Sequence, residues 1–406
     1  MALILTNTNL IDCVSPSPIP GASVIIEGQR ITQVLLDQPP VVNAGDRVVD
    51  LDGAYLLPGL WDVHIHPEYL HVRGGTVAEH TVRFGQDLMQ GLTEAGVVGV
   101  RTGGAAHFMD VAWRNSFESG PLAGPRILAC GYFLTTTGGH FIATGHAREC
   151  DGPYGFVKAI REQIKNGVDH IKLNLSGGVM GPFWDRHWHS FMLEEELEAA
   201  FRIAHQRGYQ VMAHATNPQA VKAALRLGAH SVEHGYIMDQ DCIQMFLEED
   251  AWYVPTLSIT HLTPGQATTE LEKRWVEQRN LAADLVRRAD DASPEHREWF
   301  RCALDAGVKM AIGSDIRPLS QSVLLEMGLW IKNGATPWQT LVAATKNAAE
   351  LCGLGSDLGT VEAGKLADLI VVRQNPLDDI SHLGEILLVM KNGEVVAERR
   401  NRTENP

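Results

Sequence analysis

The sequence predicts an α/β fold: a (β/α)8 TIM barrel with a small β-sandwich domain built from both chain termini. Three observations carry that expectation. The middle of the chain, residues 59–350, alternates short apolar, β-branched runs with amphipathic helical patterns, as a barrel of parallel strands requires. The two ends, 1–58 and 351–406, instead carry strand-like runs punctuated by Gly, Pro, Asn and Asp. Metal-ligating and titratable side chains also fall where the apolar runs of the middle end, which is the working face of such barrels.

At the N-terminus the strand-like runs are Leu3–Leu5, Ser23–Glu27, Ile31–Leu35, Arg47–Asp50 and Ala54–Leu57. The C-terminus repeats the style with Asp368–Arg373, Leu387–Asn392 and Val395–Glu398. There Lys391-Asn392-Gly393-Glu394 is a hairpin turn signal. In the middle the first strand starts at Trp61. It is followed by Val97–Arg101, Arg126–Leu134, His170–Leu175, Gln210–Ala213, Ser231–Glu233, Trp252–Pro255 and Lys309–Ile312. Helical patterns lead into them: Gln86–Ala95, Gly155–Asn166, Glu194–Arg207, Pro218–Leu227, Gln240–Glu249 and Arg297–Ala306. Glu194–Arg207 is acidic at its start, as the helix dipole favours.

Composition narrows the function. The 406 residues are 45% hydrophobic and 20% charged, an ordinary globular mixture. A formal charge of -15 argues against a nucleic-acid surface and for simple solubility; the expected partner is a small-molecule substrate. No apolar run reaches the roughly 18 residues a membrane span needs. The N-terminus has neither a basic n-region nor a sustained apolar core, so no signal peptide is expected. Cys13, Cys130, Cys150, Cys242, Cys302 and Cys352 are scattered with no C-x-x-C, as free thiols of a reducing, cytoplasmic compartment would be. A homo-oligomer is the expected assembly.

The stretch Gly59-Leu60-Trp61-Asp62-Val63-His64-Ile65-His66 ends a buried strand in His-x-His. Residues two apart on a strand share a face, so two imidazoles aim at one point, with Asp62 one step deeper. The other strand ends extend the pattern. The fourth strand carries Lys172 between apolar residues, the fifth ends in His214, the sixth in His234 and the eighth in Asp315. Four His, one Lys and one Asp thus converge on one mouth. Singly, each has a plain structural role open to it: a snorkelling or ion-paired lysine, a hydrogen-bonded core histidine. Together they point to a metal centre.

Here the sequence resembles the amidohydrolase superfamily, in its binuclear-metal branch, over nearly its whole length. Leu57-Pro-Gly-Leu-Trp-Asp-Val-His-Ile-His66 is similar to that superfamily's first-strand signature, and Gly364-Lys-Leu-Ala-Asp-Leu369 to its return into the β-sandwich. The resemblance implies two divalent ions, usually zinc. His64, His66 and Asp315 would hold the buried ion, and His214 and His234 the outer one. A carboxylated Lys172 would bridge both, together with a hydroxide. It assigns Asp315 as the catalytic proton acceptor. Gly124-Pro-Arg-Ile-Leu-Ala129, Thr137-Gly-Gly-His140, Ser176-Gly-Gly-Val-Met180 and Ser231-Val-Glu-His-Gly235 are similar to the subgroup of Xaa-Pro dipeptidases and ochratoxinase-like amidases. The implied reaction is cleavage of an amide C–N bond in a dipeptide or N-acyl amino-acid conjugate. Aryl amides and carbamates are the alternative.

Two departures bear on this. Where the dipeptidases carry His-Ala-Tyr after the fifth strand, this chain has His214-Ala215-Thr216. A mononuclear deaminase of the same superfamily would need His-x-x-Glu there; the fourth position is Asn217. For substrate contacts the candidates are His140 and the loop 181–190, with Trp184, His187, Trp188 and His189, since aromatics beside positive groups suit a flat or acidic ligand. The segment 258–295 reads as a charged, helical insertion, a lid or an oligomer contact.

Overall fold

The computed structural model describes residues 1–68 and 74–399, so the last seven residues of the expected terminal domain lie outside the described part. Strands β1 (Ala2–Leu10), β2 (Ile19–Glu27), β3 (Arg30–Leu35), β4 (Arg47–Asp50) and β5 (Tyr55–Pro58) come from the N-terminus. Then follow β6 (Leu60–Ile65), β7 (Val97–Thr102), β8 (Arg126–Leu128), β9 (Phe133–Thr135), β10 (Ala147–Glu149), β11 (Ile171–Asn174), β12 (Val211–Ala215), β13 (Ser231–His234), β14 (Trp252–Val254) and β15 (Lys309–Met310). The C-terminus adds β16 (Leu369–Val372), β17 (Ile386–Lys391) and β18 (Glu394–Glu398).

Both chain ends build one eight-stranded sheet, ordered β18-β17-β16-β5-β1-β2-β3, with β4 pairing with β1. The β17–β18 hairpin turns through Asn392 and Gly393, both at positive φ, as the Asn-Gly signal requires. The sheet has a core of its own: Leu5, Leu10, Val24, Ile26 and Leu56 pack with Leu369, Val371 and Met390.

The middle is all parallel. β10-β9-β11-β12-β13-β14-β15 form a seven-stranded sheet and β6-β7-β8 a second, three-stranded one. Backbone hydrogen bonds join the two at both edges of the three-stranded sheet. Val63 N–H donates to the Ile312 carbonyl at 2.9 Å on one side, and Asp169 N–H to the Ala129 carbonyl at 2.7 Å on the other. The arrangement is consistent with a barrel. Helices cover the outside, and every residue of β6, β7, β11, β12 and β13 is buried, as strands packed on both faces must be.

Two elements differ from expectation, and a third, the 258–295 insertion, is helical as expected. The run expected as one strand, Arg126–Leu134, is broken between Leu128 and Phe133. The buried Asp110 carboxylate captures the N–H groups of Cys130 (3.0 Å) and Gly131 (2.9 Å), and Gly131 turns at φ +65. The helix expected over Gln86–Ala95 begins at Val77, where Thr76 and Glu79 form a capping box. The segment 258–295 holds the helices Ser258–His261 and Glu270–Arg279 and most of Ala283–Ala306. Among the described residues no helix is long and apolar enough to cross a membrane, and all six cysteines are free.

Candidate active site

The site grows from the carboxyl ends of the parallel strands. β6 delivers His64 and, just past its end, His66; β11 delivers Lys172; β12 delivers His214; β13 ends at His234; the turn after β15 delivers Asp315. Asp62, beneath His64, locks this turn in place. Its carboxylate accepts from Ser314 N (2.9 Å), Ser314 Oγ (2.5 Å) and Ser322 Oγ (3.0 Å). Asp315 N–H then donates to the His64 carbonyl at 2.8 Å. Asp315 and His234 both hold positive φ, 55° and 73°, unusual for residues with a Cβ and a recurrent mark of side chains aimed for function.

Each of the four imidazoles has one ring nitrogen engaged behind the site. His64 Nδ1 meets Glu233 Oε2 at 2.7 Å, His66 Nδ1 the Gly104 carbonyl at 3.0 Å, His214 Nε2 the Gly177 carbonyl at 2.9 Å, and His234 Nδ1 the Thr256 hydroxyl at 2.7 Å. A carboxylate or carbonyl oxygen only accepts, so in His64, His66 and His214 that nitrogen carries the hydrogen and the other presents its lone pair. Burial holds all four imidazoles well below the ordinary imidazole range, keeping them neutral. Neutral rings, oriented by an outer hydrogen bond, are what metal ligation needs.

The remaining groups fit the same purpose. Asp315 Oδ1 lies 3.4 Å from His66 Nε2 and 3.9 Å from His64 Nε2, and it is buried without a hydrogen-bond partner. His64, His66 and Asp315 can present three ligand atoms within 4.8 Å of one another. Lys172 Nζ is 3.5 Å from His64 Nε2. Burial pulls the Lys172 ammonium down toward the neutral amine and pushes the Asp315 carboxyl up, each opposed by the other's charge. Gly103 leaves the space open: a Cβ there would sit 2.7 Å from His64 Nε2 and 2.9 Å from His66 Nε2. An orphaned carboxylate oxygen, converging lone pairs and this cradle fit a bound cation.

These six residues line one cavity with His140, Tyr236, Arg279, Phe133, Phe141 and Met180 among others. His140 therefore joins the site. Its ring stacks on His214 at 4.1 Å, and its Nδ1 meets Asp185 at 2.8 Å. Burial would raise the Asp185 carboxyl, but His140 and the N–H groups of Gly178 and Phe141 outweigh it and hold it low. Trp184, His187, Trp188 and His189 are not in the cavity wall. Buried Asp185 and Arg288 pin the loop inward, Arg288 donating to the carbonyls of Gly178, Gly181 and Asp185. Trp184 and Trp188 consequently turn outward, 43% and 57% exposed, and His187 meets the rings of Trp188 and Tyr236 edge-on, with ring centres 4.7 and 6.3 Å apart.

Sequence reasoning missed Tyr236, Arg279 and the pair behind His64. There Arg101 and Glu233 are bonded at 2.9 Å, and Arg101 Nε donates to the Val63 carbonyl at 2.8 Å. The signal for the pair was a charged residue inside a fully buried strand, twice. Thr216 and Asn217 serve the backbone. Thr216 Oγ1 lies 2.7 Å from the carbonyls of both Gly177 and His187, with one hydrogen to donate between them, and Asn217 caps the helix Pro218–Arg226 through Ala220 N–H.

Comparison with known proteins agrees with this picture. The model of the amidohydrolase family matches residues 55–396, and the chain belongs to that family. Ochratoxinase of Aspergillus niger is 28% identical over 377 residues, covering 84% of this chain and 75% of its own. The crystal structure of a Xaa-Pro dipeptidase with bound methionine in its active site superposes with a TM-score of 0.85 at 27% identity, over 97% of this chain and 99% of that one. A prolidase complexed with N-methylphosphonate-L-proline gives 0.85 at 28%, over 98% and 100%. The likeness is to the subgroup of Xaa-Pro dipeptidases and ochratoxinase-like amidases.

Proposed function

We propose that the chain is a metal-dependent hydrolase that cleaves the amide C–N bond of a small substrate such as a dipeptide or an N-acyl amino-acid conjugate. The observation that carries this reading is the set of four buried, neutral imidazoles, each anchored from behind, around Lys172 and Asp315. The activities of ochratoxinase and the dipeptidases support the amide bond as the target. In this reading the architecture is a (β/α)8 barrel over 59–350 with a β-sandwich built from 1–58 and 351–406, in a cytoplasmic homo-oligomer.

His64, His66 and Asp315 would hold one divalent ion, His214 and His234 a second, with zinc suited to imidazole and carboxylate ligands. The buried Lys172, as its neutral amine, would add carbon dioxide and release a proton, becoming a carbamate able to bridge both. Such ions supply Lewis acidity toward water and the scissile carbonyl. Asp315 accepts the proton of the attacking water and returns it to the leaving nitrogen. Tyr236 keeps its phenolic proton, because burial and the nearby Asp315 drive its pKa well up; it can donate to the substrate carbonyl oxygen. Asn217, spent as a helix cap, cannot shuttle a proton, which speaks against deamination.

Protein grown with zinc should contain about two equivalents per chain and hydrolyse N-acyl amino acids, with acyl group and amine released together. One equivalent, an unmodified Lys172 and ammonia release from amino-heterocycles would overturn the reading.

A further inference from the structure

The cavity at the histidines is small, about 60 Å³. At roughly 10–15 Å³ per water-sized body it holds on the order of five of them, enough for ions and water but not for a substrate. A second cavity, of about 560 Å³, shares Asp315 and Arg279 with it as common wall. That volume is in the range of about 300–1,000 Å³ typical of small-molecule sites. Phe84, Trp275, Gln278 and Arg317 contribute to its lining.

We propose that the larger cavity receives the body of the substrate and that Arg279, at the junction, binds a carboxylate on it. Arg279 is thereby the residue that selects amino-acid conjugates over neutral amides. The proposal rests on the amide-hydrolase reading and deepens it. With Lys172 given to the bridging role, Arg279 is the one remaining Lys or Arg among the described residues that line the histidine cavity. Its charge is among those acting on Asp315 and on Tyr236, which places it close to the reacting centre. The side chain is also held in place. Its guanidinium carbon lies 4.9 Å over the ring of buried Trp275, whose Nε1 donates to the Arg317 carbonyl at 2.7 Å. A guanidinium fixed by stacking has lost its freedom before the ligand arrives, and its five N–H donors serve several acceptors at once. Arg279 closes the helix Glu270–Arg279, where any cation offsets the dipole. That role needs no cavity and no stacking partner. The insertion 258–295 thus supplies a specificity group that the strand ends do not.

The test uses zinc-loaded enzyme and a matched pair: N-acetyl-L-phenylalanine and its decarboxy analogue N-acetylphenethylamine. Turnover gives the acid-to-neutral ratio of kcat/KM, and calorimetry gives the ratio of Kd. Wild type should favour the acid by about 10–100-fold, the weight of a charge-assisted contact. Arg279→Met should bring both ratios to within about threefold, while Arg279→Lys keeps part of the preference. Unchanged ratios in Arg279→Met, or equal losses on both compounds, would overturn the proposal. If neither compound is hydrolysed but the acid binds in preference and loses that preference in Arg279→Met, the carboxylate site stands and the hydrolase reading fails. Binding of neither compound overturns the site.

Discussion

Replacing Glu233 by glutamine removes one charge and almost no volume, behind the ligand face of the pocket. One Glu233 oxygen accepts from His64 Nδ1 at 2.7 Å; the other accepts from Arg101 Nη2 at 2.9 Å and Ser231 Oγ at 2.5 Å. Glutamine offers one oxygen and one NH2. If the oxygen faces Arg101, the NH2 faces His64 Nδ1, which must become an acceptor. The proton then moves to Nε2, and His64 loses the lone pair it points into the pocket. If the oxygen faces His64, the NH2 opposes the guanidinium and the Ser231 hydroxyl. Either way Arg101, 3% exposed, stays buried without its counter-charge. Removing one partner of a buried pair costs about 3–5 kcal/mol, and losing an outer partner of a metal-bound histidine typically costs about 10–100-fold in metal affinity. Urea unfolding of metal-free protein reads the first effect, and zinc titration with a chromophoric competitor reads the second. Glu233→Asp, which keeps the charge, should recover much of the stability. A glutamine variant with wild-type midpoint and zinc affinity would refute both the pairing and the tautomer it imposes.

Other perturbations probe the face toward substrate. Lys172→Ala should cut turnover by orders of magnitude and lower metal retention, with partial rescue by short carboxylic acids; near-normal kcat and metal content would show that the lysine is not a ligand. Asp315→Asn keeps the shape and one oxygen donor but not the proton acceptor, so kcat should fall about 10²–10⁴-fold in a folded protein; retention of most turnover would move the base elsewhere, first to His140. Trp184→Ala and Trp188→Ala, on exposed side chains, should leave kcat/KM and stability within roughly twofold, as surface substitutions usually do. A loss of tenfold or more would mean that the loop folds over the substrate.

How far the sequence exposed the site follows from where the parallel strands end. A parallel strand fixes which residue sits at its carboxyl end, so His64, His66, Lys172, His214, His234 and Asp315 could be placed together before any coordinates. Loops obey no such rule. The 181–190 segment carries five aromatic or imidazole side chains that composition alone directs toward a ligand. Yet Asp185 and Arg288, unremarkable in sequence, decide which way the loop faces by taking its backbone and His140 as partners. Arg279 shows the converse. In a charged helix it reads as one more solvated cation, and only the packing of Trp275 against the turn at Arg317 brings it to the cavity wall. The division is also a functional one. Groups at strand ends are held by the sheet ladder and suit a fixed metal geometry. Groups on inserted helices are positioned by tertiary contacts and can change without disturbing the metal ligands. Substrate selection therefore belongs to the part of the chain where residue patterns say least, and Arg279 is where the two parts meet.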